Sequence, residues 1–256
     1  MAATLYAVPA SHPCACVERA LQLKAIDYRR IDMPPVAHMP IQKARFGGAT
    51  VPGLVLDGRK ILGSLHIIRA LEEKVAEPPL LPADPKERKS VQLAEGWGDE
   101  VLQPLVRRVI WSALGREPAA MPSYSEGSRL QVPAPLAQLS APLIARAEQR
   151  INRSSDLNVR ADLAHLAHHL DRIDNWIADG VLGGVEPNAA DLQIGPSVAL
   201  LASVEDLADI LRDRPAPALA RRWFPDYPEG SVPAGTLPPE WLRDEASSAS
   251  WAPWAT

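Results

Sequence analysis

An α+β domain followed by an all-helical domain is the fold class that this sequence of 256 residues predicts. Three observations carry it. Over residues 1–76, apolar runs of strand length alternate with helical periodicity in the order β-α-β-α-β-β-α. A proline-rich stretch, "VAEPPLLPADPKE", then breaks the rhythm as an interdomain linker does. Beyond it strand patterns stop, and helical patterns run on through residues 84–223.

The first run, "TLYAV" from Thr4 to Val8, is apolar, β-prone and closed by Pro9, which reads as a buried strand. Val17, Ala20 and Leu21 then fall on one face of a helix, with Glu18, Arg19 and Gln22 elsewhere. "YRRIDM" is a second strand, parallel to the first because a helix separates the two. After "PPVAHMP" comes a short helix, "IQKARF". "GLVL" and "RKIL" flank Asp57-Gly58, a pair that tolerates positive φ at both turn positions and so closes a hairpin. "SLHIIRALEEK" ends the domain as a helix, with Ser64 as its expected N-cap and Ile67, Ile68 and Leu71 facing inward.

In the second domain, Asp84 and Pro85 start a long helix that runs to Leu114, with Pro104 as its expected kink. Further helices are expected over "APLIARAEQRI", over "VRADLAHLAHHLDRIDNWIADG" as one piece, and over "NAADLQIGPSVALLA", "VEDLADILRD" and "APALARRWF". Asn188 and Asp191 have the spacing of a reciprocal capping box. Residues 224–256, rich in Pro, Gly and Ser, are expected to run extended, with Trp241 docked and roughly the last ten residues mobile. No internal repeat is present.

Hydrophobic residues make up 46% of the chain, enough to bury a sizeable core. A net charge of −4, with the Lys and Arg scattered, offers no basic field to a phosphate backbone, so nucleic acid is not expected as a partner. No basic leader precedes an apolar run and no membrane-length apolar stretch occurs, so the expected location is the cytoplasm, without a membrane span. Cys14 and Cys16 stand too close together to bridge without strain, which fits a reducing compartment. His165, His168 and His169 lack an acidic or cysteine partner at metal-ligand spacing, so no metal is expected.

Four motifs resemble one known family: "LYAVPASHPCACVERALQLKAIDY", "TVPGLVLDG", "GSLHIIRAL" and "NAADLQIGPSVAL". Together they look like the glutathione S-transferase family, whose first domain is thioredoxin-like, and the likeness runs through Trp223. "SHPC" also resembles the active-site turn of glutaredoxins. The resemblance implies a homodimeric, detoxifying transferase. Such an enzyme joins a low-molecular-weight thiol, glutathione or an analogue, to a hydrophobic electrophile. It further implies that Ser11 donates to the thiolate, that a cis bond at Val51-Pro52 lets Val51 pair with an extended peptide beside Thr50, and that Ser64 holds the γ-glutamyl end. The sequence departs from the family where Gly63 replaces a common acidic residue and Thr50 a longer polar one. Ser11 also stands where glutaredoxins place their attacking cysteine, so a two-cysteine redox cycle is not expected.

The residues themselves support these roles physically and leave alternatives open. Unpaired N–H groups and partial positive charge at a helix start stabilise a thiolate. Ser11, just before Pro13, either donates to a bound thiolate or only caps the helix. Cys14, in the first turn, either has its pKa lowered by the same field or is a small buried filler, and Cys16 is expected to pack. Pro52 is either cis or an ordinary proline opening a strand, and Ser64 either binds a carboxylate or caps its helix. His12 and the segment "EGWGDEVLQPLVRRVIW" supply the expected electrophile pocket through Trp97, Gln103, Arg107, Arg108 and Trp111. The alternative puts Trp111 in the core and the arginines at a subunit interface. Lys43, Arg45, Arg59 and Lys60 either neutralise a distal carboxylate of the ligand or, the favoured reading, are solvated surface charges. Two other functions stand beside the transferase: thiol-disulfide or peroxide chemistry through Cys14, and a non-catalytic binding module of the same fold.

Overall fold

A computed structural model describes residues 2–126, 128–130 and 132–242; the expectation for the final ten residues lies outside them. The first domain follows the expected order: β1 (Ala3–Ala7), α1 (His12–Leu23), β2 (Tyr28–Asp32), α2 (His38–Phe46), β3 (Gly53–Leu56), β4 (Arg59–Leu62) and α3 (Ser64–Lys74). Its four strands lie in the order β2-β1-β3-β4, with β1 parallel to β2 and antiparallel to β3. Asp57 and Gly58 take φ of 47° and 85°, as the tight hairpin turn between β3 and β4 demands. Side chains alternate across a strand, so Leu5 and Ala7 face α1 and α3 in the core while Tyr6 points the other way. There its ring meets Phe46 of α2 edge-on at 5.4 Å.

One local reading needs correction. The N-cap of α3 is Gly63, at φ 88°, and Ser64 is the first helical residue rather than the cap. The linker, legible only as a proline-rich break, is fastened by Lys24, whose side chain is fully buried. Its ammonium donates to Glu72 Oε2 at 2.6 Å and to the carbonyls of Val75 and Pro78 at 2.6 and 2.7 Å. A charge can be buried there because each of its donors finds an acceptor.

The long helix expected from Pro85 is interrupted by a wider turn. α4 (Pro85–Trp97) passes through a π-helical turn at Gly98–Leu102 into α5 (Gln103–Arg116). The Gln103 N–H reaches back to the Gly98 carbonyl. Pro104 has no N–H to offer the preceding turn, and the wider spacing absorbs that loss. Then follows α6 (Ala134–Ile151), which begins well before Ala141. The single helix expected around the histidines is two, α7 (Asp156–Ala164) and α8 (Leu166–Ala178). They break at His165, whose ring nitrogen lies 2.8 Å from the Ala161 carbonyl and competes for that acceptor.

At the centre lies α9 (Ala189–Ala202), buried from Ala189 to Leu201. It starts with the expected capping box, in which Asn188 accepts from Ala190 and Asp191 while Asp191 accepts from the Asn188 N–H. "VEDLADILRD" forms less helix than expected, only a short 3-10 turn and the one-turn α10 (Ala208–Leu211). After α11 (Pro215–Trp223) the chain runs extended but docked. Val232 bridges to Val204, Asp206 accepts from the N–H groups of Gly235, Thr236 and Leu237, and Trp241 packs under the Arg116 guanidinium. Among the described residues no helix is long and apolar enough to cross a membrane.

Candidate active site

The site begins with the turn between β1 and α1. The Ser11 N–H donates to the Val8 carbonyl at 3.2 Å, with Pro9 and Ala10 between them. Pro9 presets φ at the first corner, and Ala10 takes φ 53° at the second, a combination that ordinarily selects glycine. Ser11 is the N-cap of α1 and its carbonyl accepts from Cys14 and Ala15, both at 2.9 Å. Its hydroxyl makes no capping bond to a backbone N–H of the helix and instead meets the Cys14 thiol in the first turn.

This turn forms one wall of a cleft of ≈ 310 Å³ between the two domains, with Thr50 and Val51 beside it. The facing wall is the apolar side of α5, built from Ile110, Trp111 and Leu114, with Arg107 among them. The Val51-Pro52 bond is cis, and Val51 enters none of the backbone hydrogen bonds among the described residues. An extended chain can therefore pair with it as an added strand does. Of the residues expected here, the cleft brings together Ser11, His12, Thr50, Val51, Arg107 and Trp111. Lys43, Arg45, Arg59 and Lys60 are exposed surface charges, as expected.

The other expected residues lie elsewhere. Trp97 packs edge-on against Trp176 at 5.2 Å and beside His169. Arg108 is held by Asp162 through both carboxylate oxygens, at 2.5 and 2.7 Å. Arg107 and Trp111 are four residues apart and share a helical face, whereas Arg108 is turned about a quarter-circle away. Trp97 precedes the π turn, which rotates the face of α4 relative to α5. Pro52 lies buried under the turn, and neither Gly63 nor Ser64 lines the cleft.

Ser64 instead belongs to a buried polar network between the domains. Its hydroxyl accepts from Gln193 Nε2 at 3.0 Å and from Gln103 Nε2 at 3.4 Å. Gln193 also donates to Asp99 at 2.8 Å and accepts from the Cys16 thiol at 3.1 Å. Cys16 thus packs as expected but is also hydrogen-bonded across the interface. Gln193 and Asp99 were missed in the sequence, although a glutamine inside the otherwise apolar "ADLQIGPSVAL" is the signal that marks such a position.

Of the two readings open for Cys14, burial favours the small buried filler. Burial pushes its thiol up to about 11, and the hydrogen bonds from Ser11 and the Val8 backbone offset that only in part. The field of the helix start does not outweigh removal from water, so the thiol stays protonated. His12 is shaped by the same burial. Its Nδ1 lies 2.8 Å from Ser197 Oγ, its Nε2 is buried without a partner among the described residues, and burial followed by the Arg107 charge holds its pKa well below the usual histidine range. Among the described residues no group of three or more His, Cys, Asp or Glu is placed to hold a metal.

Residues 5–79 match the family model described as glutathione S-transferase, N-terminal domain. A curated relative, mouse (Mus musculus) maleylacetoacetate isomerase, is 32% identical over 114 residues, covering 40% of this chain and 49% of that protein. The chain therefore spans about half the length of the curated relatives it matches. A glutathione S-transferase from Rhodospirillum rubrum F11 superposes with a TM-score of 0.59 at 21% identity, over 95% of this chain and 99% of that one. A theta class glutathione S-transferase from Xanthomonas axonopodis pv. citri, solved with glutathione bound, gives 0.58 at 17% identity, over 87% and 90% of the two chains.

Proposed function

We propose that this chain, which has the glutathione S-transferase fold and whose residues 5–79 belong to that family's N-terminal domain, is a thiol-dependent enzyme that acts on a hydrophobic electrophile. The observation that carries the reading is the Ser11 hydroxyl. It stands at a helix start, is free of capping duty and belongs to a residue that lines a cleft together with Val51. Ser11 and the first-turn N–H groups of α1 favour a sulfur anion at that point, as a donor and a partial positive charge do.

The residues present fit the cysteinyl part of a thiol peptide such as glutathione. Val51, turned by the cis bond, offers its N–H and C=O to an extended peptide, and His12 brings a buried, unpartnered Nε2 to the same wall. Ser64 is a poorer match for the γ-glutamyl end, because its hydroxyl is already held by Gln193. A thiol bound there supplies the nucleophile, whether for conjugation or, as the names of the curated relatives suggest, for an isomerisation. Ile110, Trp111 and Leu114 give an electrophile an apolar bed, while Arg107, held only by a long 3.4 Å contact to Gln103 among the described residues, suits an anionic group on it.

Cys14 chemistry is the weaker reading, since its thiol is buried and protonated near neutral pH. The same proposal has the protein in the reducing cytoplasm as a homodimer. Supporting the dimer, Leu136, Leu139 and Leu143 line one exposed face of α6 at 55, 78 and 69% exposure. Retention on immobilised glutathione and thiol conjugation, measured for wild type and Ser11→Ala, test the function. No retention and a rate indifferent to Ser11 would sink it, whereas retention without turnover favours the non-catalytic module.

A further inference from the structure

We infer that Tyr227 is a positioning residue for Ser11, holding from outside the first domain the turn that places Ser11 on the cleft wall; this rests on the thiol-handling role of Ser11 proposed above. The Tyr227 hydroxyl donates to the Ala10 carbonyl at 2.7 Å, across 217 residues of sequence. The Ala10 carbonyl and the Ser11 N–H belong to one planar peptide group. That plane is therefore pinned at both ends, by Tyr227 on its oxygen and by the Val8 carbonyl, 3.2 Å from its nitrogen.

The turn needs such a hold. Ala10 sits at φ 53°, where a side chain is sterically disfavoured and where glycine would rest without cost. An alanine there relaxes toward negative φ unless its neighbours prevent it, and any such rotation swings Ser11 about the following bonds. Tyr227 is itself anchored. Its ring meets Phe224 edge-on at 6.4 Å, and Phe224 packs so closely on α9 that a Cβ added at Gly195 would lie 2.7 Å from its ring. A line of contacts thus runs from the central helix through Phe224 and Tyr227 to the residue before Ser11. Tyr227 does not line the cleft between the domains, so it acts through Ser11 and not on a ligand there.

The test uses the full chain with glutathione as probe, reading the ultraviolet absorbance of the bound thiolate against pH in wild type, Tyr227→Phe, Ser11→Ala and the double variant. Phenylalanine keeps the ring packing and removes only the hydroxyl. The expected result is a rise of about one unit in the bound-thiol pKa for Tyr227→Phe, about a ten-fold loss of thiolate at a pH below that pKa. Glutathione affinity should stay within about two-fold, and Tyr227→Phe should have no further effect on the pKa once Ser11 is alanine. Two outcomes overturn the inference while leaving the proposed function standing: a pKa moved by Ser11→Ala but not by Tyr227→Phe, or pKa effects that simply add. A wild type that shows no bound thiolate at any pH overturns the proposed function and the positioning role together.

Discussion

Nδ1 of His12 lies 2.8 Å from Oγ of Ser197, a contact that joins the residue after Ser11 to the central helix of the other domain. The imidazole is buried at 3% exposure, and its other nitrogen has no partner among the described residues. Such a ring is stable only while neutral, because a charge there would be stripped of water and face the Arg107 guanidinium.

This makes stability pH-dependent with a definite sign. The folded-state pKa of His12 lies well below its ordinary value of 6.5, so below pH 6.5 the unfolded chain takes up a proton that the folded one refuses. Stability is full above about pH 6.5 and falls as pH drops through the window beneath it, by at most ~1.4 kcal/mol per unit from this group. Urea unfolding of wild type and His12→Gln between neutral pH and pH 5 should show the wild type losing more. Parallel curves would exclude His12 as the source.

Ser11 separates stability from function. A serine whose hydroxyl caps a helix costs about 1 kcal/mol when truncated, but the Ser11 side chain makes no such bond. Ser11→Ala is therefore expected to change unfolding free energy by less than ~0.5 kcal/mol. Loss of a hydrogen bond to a charged sulfur, at about 1.5–3 kcal/mol, should slow thiol conjugation roughly ten- to hundred-fold at neutral pH. Equal losses in stability and rate would assign Ser11 to the helix alone.

Gln193 is expected to be the costliest polar residue at the domain interface. Gln193→Leu removes one bond each from Ser64, Asp99 and the Cys16 thiol, while Ser64 keeps its 3.4 Å contact to Gln103. Three lost bonds, at about 1 kcal/mol each, should lower unfolding free energy by about 2–4 kcal/mol. Gln103→Leu, which removes bonds of 3.4 Å, should cost less than about half as much. Denaturant midpoints of the two variants check the order.

Cys14 should be inert in the folded protein. With a thiol near 11, about one molecule in ten thousand carries the thiolate at pH 7, and 2% exposure blocks reagent access. A disulfide reagent at neutral pH should label Cys14 and Cys16 only in denaturant, and Cys14→Ala should keep conjugation within about two-fold of wild type. Fast labelling of the native chain, or activity lost with Cys14, would revive the redox reading.

Much of the fold was legible because it is written in local terms. The hairpin at Asp57-Gly58, the cap at Asp84 and the capping box of Asn188 and Asp191 each depend on neighbours within a few residues, and each stands as read. Misreadings arose where a distant group intervened. Ser64 has the composition of an N-cap, yet its hydroxyl is claimed by a glutamine 129 positions away. Arg107 and Arg108 look alike in sequence, but helical phase sends one into the cleft and the other onto Asp162.

The sequence by itself determined the order of elements, the division into two domains and the turn that carries Ser11, because periodicity, capping and turn chemistry act over short range. Tertiary structure alone decided which polar groups are free. Burial raised the Cys14 thiol, α9 took Ser64, and the segment after α11 delivered the Tyr227 hydroxyl to Ala10. The short stretch around Ser11 is chemically set by desolvation and by hydrogen-bond partners from the other domain, and neither is encoded within that stretch.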